Sequence, residues 1–327
     1  MNNRRRVVIA LGACASVPGT VFAQAKKPPV VIGWLNTGLR EASGDNLAEF
    51  KKELATLGWQ EGANYILEEL YAAGQPNRLP ALAEELAAKK PALIVASPAP
   101  ATIAAAKAAP RIPIVVVTGI SPVNTGLAAS LARPGGMVTG LTSLVDELSA
   151  KYLELLLAAA PKVKRVGILG NVKVPAYPTY IKNTHTAIER FRIEARFAEV
   201  GNAEELDRAL PMLAKEGVQA LVLLPSAGLF LAERQRIVQF ALSQRWPVVG
   251  GAALAAAGAL LSYSADASAL YRRAAHYVDR ILKGAKPADL PIEQPTRFEL
   301  VVNLKTAKAL GLTMPPEIMV QATRVIQ

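Results

Sequence analysis

Cysteine is nearly absent from this chain of 327 residues: Cys14 is the only one. A lone cysteine closes no disulfide within the chain. Histidine is almost as scarce. His185 and His276 are the only two, both fall in the middle of helical stretches, and neither has the oriented base partner that a catalytic triad requires. Aromatic residues make up 6% of the chain, too few for the stacking platforms of single-stranded nucleic-acid binders. No run beyond residue 25 is long and apolar enough to cross a bilayer. No His/Cys/carboxylate cluster has metal-ligand spacing, and no G-x-S-x-G elbow, G-x-x-x-x-G-K-[ST] loop or strand-following G-x-G-x-x-G occurs. These gaps remove the common routes by which an α/β chain becomes an enzyme. No catalytic residue, no metal and no cofactor is expected.

The first 25 residues differ from the rest. Arg4, Arg5 and Arg6 make a basic start, Val7 to Leu11 a short apolar run, and Val21-Phe22-Ala23 a small-x-small cleavage pattern. That order is the layout of a secretory signal. Cleavage after Ala23, or after Ala25, leaves a mature chain without cysteine. Leu11-Gly12-Ala13-Cys14 also resembles a lipoprotein box, so anchoring through Cys14 stands as the alternative to free release in the periplasm. The arginines fit the twin-arginine route only loosely. Removing the three arginines takes the formal charge from +11 to +8. The remaining Lys and Arg are spread along helices, which describes a solvated basic surface and no nucleic-acid partner.

Beyond the leader, short β-branched runs alternate with amphipathic, Ala-rich stretches. Val30–Leu35, Ile66–Tyr71, Ala92–Ala96 and Ile114–Val117 read as strands, with helices near 42–57, 76–90 and 98–109. The pattern restarts with a helix near 146–159. Strands follow at Arg165–Leu169, Glu194–Glu199, Ala220–Leu224 and Val248–Gly250, with helices near 175–191, 203–215 and 229–244. Strands apolar on both faces and joined by helices imply parallel sheets covered on both sides. The fold class is therefore α/β, with two doubly wound parallel-sheet lobes of four strands each, joined by a hinge near Gly140–Val145. The expected divisions are a signal peptide over 1–25, an N-terminal lobe over 26–143, a C-terminal lobe over 144–262, and a crossover helix with tail over 263–327 packing across both lobes.

Open parallel sheets bind ligands beyond the carboxyl ends of their strands. Here those ends are small, polar and uncharged: Thr37 after the first strand, Ser97-Pro98 after the third and Ser121 after the fourth. Asn171 and Ser226 follow strands of the second unit. Ser97 and Ser121 each precede proline, which suits a serine N-cap with proline in the first helical position. Such helix starts aim free N–H groups at an anion, with Ala99, Ala101 and Thr102 as the donors behind Pro98. Tyr263 offers a ring or hydroxyl at the cleft, or packs between lobes. Trp34 reads as core.

Four segments give the chain a resemblance to a known family. They are Arg133-Pro134-Gly135-Gly136-Met137-Val138-Thr139-Gly140, the run 258–263 (Gly-Ala-Leu-Leu-Ser-Tyr), Lys283 to Pro291, and the tail from Pro291 to Gly311. In these the chain resembles the periplasmic substrate-binding proteins of ABC transporters, the family that includes the tryptophan/tyrosine-binding type. The resemblance implies the type I periplasmic-binding-protein fold, with three crossovers and a ligand clamped by hinge closure. It implies a monomer that works with an ABC permease and ATPase at the inner membrane. The ligand would be a small organic solute: an amino acid, an aromatic acid or another carboxylate. Carried over by position, the pocket falls on Thr37, Ser97, Pro98, Ser121, Asn171, Ser226 and Tyr263. Relatives often carry Asp where Ser121 stands, and that Asp can pair with a ligand ammonium; Ser121 supplies no charge. An exported enzyme or a ligand-sensing module of the same architecture is the alternative function.

Overall fold

The computed structural model describes residues 28–119, 121–142, 145–174, 176–226, 228–252 and 254–327. The expected signal sequence, its cleavage sites and Cys14 lie outside the described residues, as do residues 143 and 144 of the expected hinge.

Five strands make the first sheet: β1 (Val30–Asn36), β2 (Tyr65–Tyr71), β3 (Leu93–Ser97), β4 (Ile114–Val116) and β5 (Val138–Gly140). All pair in parallel, in the order β2-β1-β3-β4-β5. The helices between them are α1 (Gly44–Thr56), α2 (Leu79–Ala88) and α3 (Ala99–Ala108). The period-two alternation of a strand sends Ile32 and Trp34 of β1 to one apolar cluster and Leu35 to the other. Both faces are therefore buried, which is why these strands read as continuous apolar runs.

The second sheet has seven strands: β6 (Arg165–Asn171), β7 (Glu194–Val200), β8 (Ala220–Leu223), β9 (Val248–Gly250), β10 (Leu261–Ala265), β11 (Phe298–Asn303) and β12 (Arg324–Ile326). Their order is β12-β11-β10-β9-β8-β6-β7, with β11 antiparallel to β10 and β12 parallel to β11. The remaining helices are α4 (Val145–Ala159), α5 (Tyr177–Phe191), α6 (Ala203–Lys215), α7 (Leu229–Ala232), α8 (Arg234–Ser243), α9 (Ala267–Leu282), α10 (Leu304–Leu310) and α11 (Pro316–Gln321). Residues of α4 and α5 bury one face of the sheet, and residues of α6 and α8 the other.

The strand count differs from the four expected in each unit. β5 is three residues inside a glycine-rich segment, too short to show alternation; β10 straddles the expected boundary at 262/263, and β11 and β12 come from the tail. The stretch expected as one helix over 229–244 divides at Glu233 into α7 and α8. α9 lays Leu270, Tyr271, Ala274 and Val278 into the cluster built on Ile32, Trp34 and Phe50 of the first lobe. The tail strands complete the second sheet.

Three segments link the sheets. Beyond Gly140, Leu141 forms a parallel bridge with Glu293. Glu293 N–H donates to Gly140 O (2.9 Å) and Thr142 N–H to Glu293 O (2.8 Å). The third link leaves β10 at Ala265, where Asp266 N–H donates to Arg297 O (3.0 Å). Asp266 then caps α9, its Oδ1 accepting from Ala269 N–H at 2.9 Å.

Candidate functional site

Each sheet has a point where the chain, after placing one neighbour on one side of a strand, crosses to the other side. In the first sheet this lies between β1 and β3, and in the second between β6 and β8. A crevice opens beyond the carboxyl ends at such a point because the following loops diverge to opposite faces. Four of the expected site residues stand at these two points, in pairs.

In the first lobe Thr37 N–H donates to Ser97 O (3.2 Å), joining the ends of β1 and β3. Gly74 N–H holds Thr37 O (2.7 Å) from the β2 side. With its main chain so fixed, Thr37 leaves Oγ1 buried and without a hydrogen-bond partner among the described residues. A buried hydroxyl is rarely left unmatched without a reason, and a ligand or water is the common one. In the second lobe Asn171 Nδ2 donates to Ser226 Oγ (3.1 Å), while Asn171 Oδ1 accepts Lys173 N–H (2.9 Å) and so fixes which way the amide faces.

The local geometry at Ser97 corrects the expected cap. Ser97 is still in the strand and buried, and the N-cap of α3 is Pro98. The Ser97 hydroxyl turns instead to Thr118 Oγ1 (3.0 Å) and accepts a hydrogen bond from the Tyr271 phenol (2.9 Å). Ala101 and Thr102, expected as free donors, give their N–H groups to Pro98 O (3.0 and 3.2 Å). That leaves Ala99, beside Gly119, as the donor of the three not taken up in the helix. Ser121 likewise caps no helix. It opens a turn, with Oγ accepting Asn124 N–H (3.5 Å) and its carbonyl accepting Thr125 N–H (3.1 Å). The chain reaches Gly126 at φ 73°, where a helix cannot continue.

Tyr263 stands apart from the other six, with none of its described contacts among them. Its ring stacks on Phe298 (centroids 5.3 Å apart, planes 9° apart). Together these rings line a pocket of about 470 Å³ with Lys151, Glu154, Arg190 and Phe191, against α4 and α5. Burial pushes the Tyr263 phenol above its ordinary pKa. Trp34 is core as expected, 1% exposed, packed on Phe50 and Tyr271.

Two residues joined to this constellation, Thr118 and Tyr271, were not picked out from the sequence, and a third, Asn36, stood out there only as part of the polar end of the first strand. Tyr271 lies in α9, more than 170 positions from Ser97 in the chain. Its spacing from Ala274, Ala275 and Val278 marks only a buried helix face. Asn36 and Thr118 are polar residues at strand ends, the same signal that marked Thr37 and Ser121. The two histidines stay outside. His276 Nε2 lies 3.0 Å from Glu53 Oε1, and the His185 ring packs on Phe197. Among the described residues no three His, Cys, Asp or Glu side chains are grouped to hold a metal.

Comparison with known proteins supplies the context. The sequence profile of the family described as ABC transporter substrate binding protein matches residues 42–326. A tyrosine-binding protein of Clostridioides difficile (strain R20291) is 26% identical over 265 residues, 80% of this chain and 75% of that protein. Among solved structures, an ABC domain from Streptococcus pneumonia in complex with L-Trp superposes with a TM-score of 0.83. It is 23% identical, and the match covers 91% of this chain and all of that one. The ligand-free, open structure of a Clostridium difficile substrate-binding protein with adhesive properties gives 0.72 at 23% identity, over 91% of this chain and 99% of that one. At these identities the structures establish the fold: two α/β lobes of the type I periplasmic-binding-protein class.

Proposed function

We propose, from the premise that this chain belongs to the family of ABC transporter substrate-binding proteins, that it captures a small aromatic amino acid or aromatic carboxylate between its lobes. Proteins of this family deliver substrates from outside the cytoplasm to a transporter and are not enzymes. The observation that carries the ligand site is the pairing at the two crossover points: Thr37 with Ser97 in one lobe, Asn171 with Ser226 in the other. The unmatched Thr37 hydroxyl and the Ala99 N–H supply donors for the acidic end of a ligand, and Asn171 and Ser226 supply polar contacts from the opposite lobe. Ser121 completes the first-lobe rim. Tyr263 lies outside this set of contacts, in the pocket against α4 and α5.

The tyrosine and L-Trp named for two relatives support an aromatic amino acid. Ser121 favours the second reading, an aromatic carboxylate without an ammonium group. It carries no charge, Asp266 is committed to capping α9, and Glu41 is exposed. The mature protein would be released to the periplasm after cleavage near Ala23 and act as a monomer with a permease and ATPase. Isothermal titration of the mature protein with L-tyrosine, L-tryptophan and 4-hydroxyphenylacetate tests both readings. Tight binding of the amino acids with no response to the ammonium-free acid selects the first reading, and the reverse selects the second. Silence toward all three, with binding of a non-aromatic solute, overturns both.

A further inference from the structure

The Tyr271 phenol is 4% exposed and makes its hydrogen bond inside the first lobe, yet it belongs to the helix that enters that lobe from β10. Its ring stacks on Trp34 (5.6 Å, 28°), which fixes where the hydroxyl points. That hydroxyl donates to Ser97 Oγ, and Ser97 Oγ lies 3.0 Å from Thr118 Oγ1. Asn36 borders the same phenol. Asn36 Oδ1 accepts Gly38 N–H at 2.7 Å.

These hydrogen bonds have a direction. The phenol gives its proton to Ser97. Burial raises its pKa first of all, against the opposing pull of Ser97 and Asn36, so the proton stays on through the neutral range. Ser97 and Thr118 hold two hydroxyl protons, of which one is used between them. One proton of the pair is left over whichever hydroxyl donates, and Tyr271 fills one of the acceptor sites that would otherwise stand open on Ser97. The pair is therefore biased toward donating.

We infer that Tyr271 is a positioning residue that sets the polarity of the Ser97–Thr118 hydroxyl pair, so that the first lobe offers donors to the cleft and selects a ligand's carboxylate over a neutral carboxamide. The inference rests on the reading that the ligand binds at these strand ends. Without the phenol, a further lone pair on Ser97 is free, and the bias toward donating is reduced.

Two measurements test it, one with ligand and one without. Tyr271→Phe keeps the ring on Trp34 and removes only the hydroxyl. In titrations with L-tyrosine and L-tyrosine amide, and with 4-hydroxyphenylacetate and its amide, this variant narrows the acid-to-amide affinity ratio about tenfold relative to wild type. Equal loss for acid and amide means that Tyr271 only supports the fold, and overturns the inference. The ligand-free arm is a double-mutant cycle of Tyr271→Phe and Thr118→Val, two residues joined only through Ser97. Unfolding constants from urea titration depart from additivity by at least about threefold, and become additive in a Ser97→Ala background. Additivity with Ser97 in place overturns the relay whatever ligand binds. Coupling that survives while no probe binds wild type leaves the relay standing and overturns the aromatic-ligand reading instead.

Discussion

Gly140 shows what a single residue decides here. It ends β5 at φ 120°, and a Cβ placed on it would lie 2.3 Å from Val116 O. Both the backbone conformation and the close approach exclude a side chain. Gly140→Ala should therefore lower stability by roughly 2–4 kcal/mol, read as a lower urea midpoint. A wild-type midpoint would mean that β4 and β5 can separate without loss. Glu293, its partner across the link, acts through charge. Arg273 Nε donates to Glu293 Oε2 at 2.7 Å, and Arg273 holds the Glu293 carboxyl below its ordinary pKa. A depressed carboxyl contributes stability above its unfolded pKa and loses it as pH falls through its folded one. Both side chains are partly exposed, so the contribution is modest. Glu293→Gln should be less stable than wild type at neutral pH, with the difference closing as pH falls through the lowered folded pKa of Glu293. A difference that persists in acid would place the effect in packing rather than in charge.

Among the elements, α10 is held by one residue that serves two. Asn303 Oδ1 accepts Thr306 N–H (3.0 Å) at the helix start, while Asn303 Nδ2 donates to Ala255 O (3.1 Å) in the turn before β10. Thr306 Oγ1 reaches the same turn at Gly258 O (2.7 Å). Asn303→Ala removes a helix cap and a buried hydrogen bond together. It should cost about 2–3 kcal/mol, beyond an ordinary cap, and calorimetry reads that as a lower Tm. A loss no larger than that of Asn202→Ala, which removes the exposed cap of α6, would show that the tie to Ala255 adds nothing. These elements also mark what the sequence made legible. Strands and helices with a full period were placed within a few residues, because burial on both faces or on one helical stripe leaves a repeating signature. β5 and β12 were not, since three-residue strands at sheet edges leave none, and β11 was not, since it lies in the tail expected only to pack across the lobes. At the site, polar strand ends announced Thr37, Ser97, Asn171 and Ser226. The roles of Ser97 and Ser121 could not be read from Ser-Pro alone, because the partner that claims the Ser97 hydroxyl arrives from α9, far away in the chain.

At the scale of the whole molecule, the proposed site gives a reason for closure to require a ligand. The first-lobe pair and the second-lobe pair sit on separate sheets, and only three segments connect them. A solute that touched one lobe alone would bind open and closed forms equally and shift nothing. On the proposed reading, closure follows from hydrogen bonds that form to the solute when the second lobe arrives. The double variant Asn171→Ala, Ser226→Ala removes those bonds and leaves Thr37, Ser97 and Thr118 intact. It should still bind an aromatic acid, weakened by about a hundredfold, since two hydrogen bonds at roughly 1–1.5 kcal/mol each are lost. It should also lose the ligand-induced compaction that small-angle scattering registers for the wild type. Weak binding with no compaction assigns the second-lobe pair to closure. Compaction that survives in the double variant would move the closing interactions elsewhere, with Tyr263 and its neighbours on α4 the first place to look.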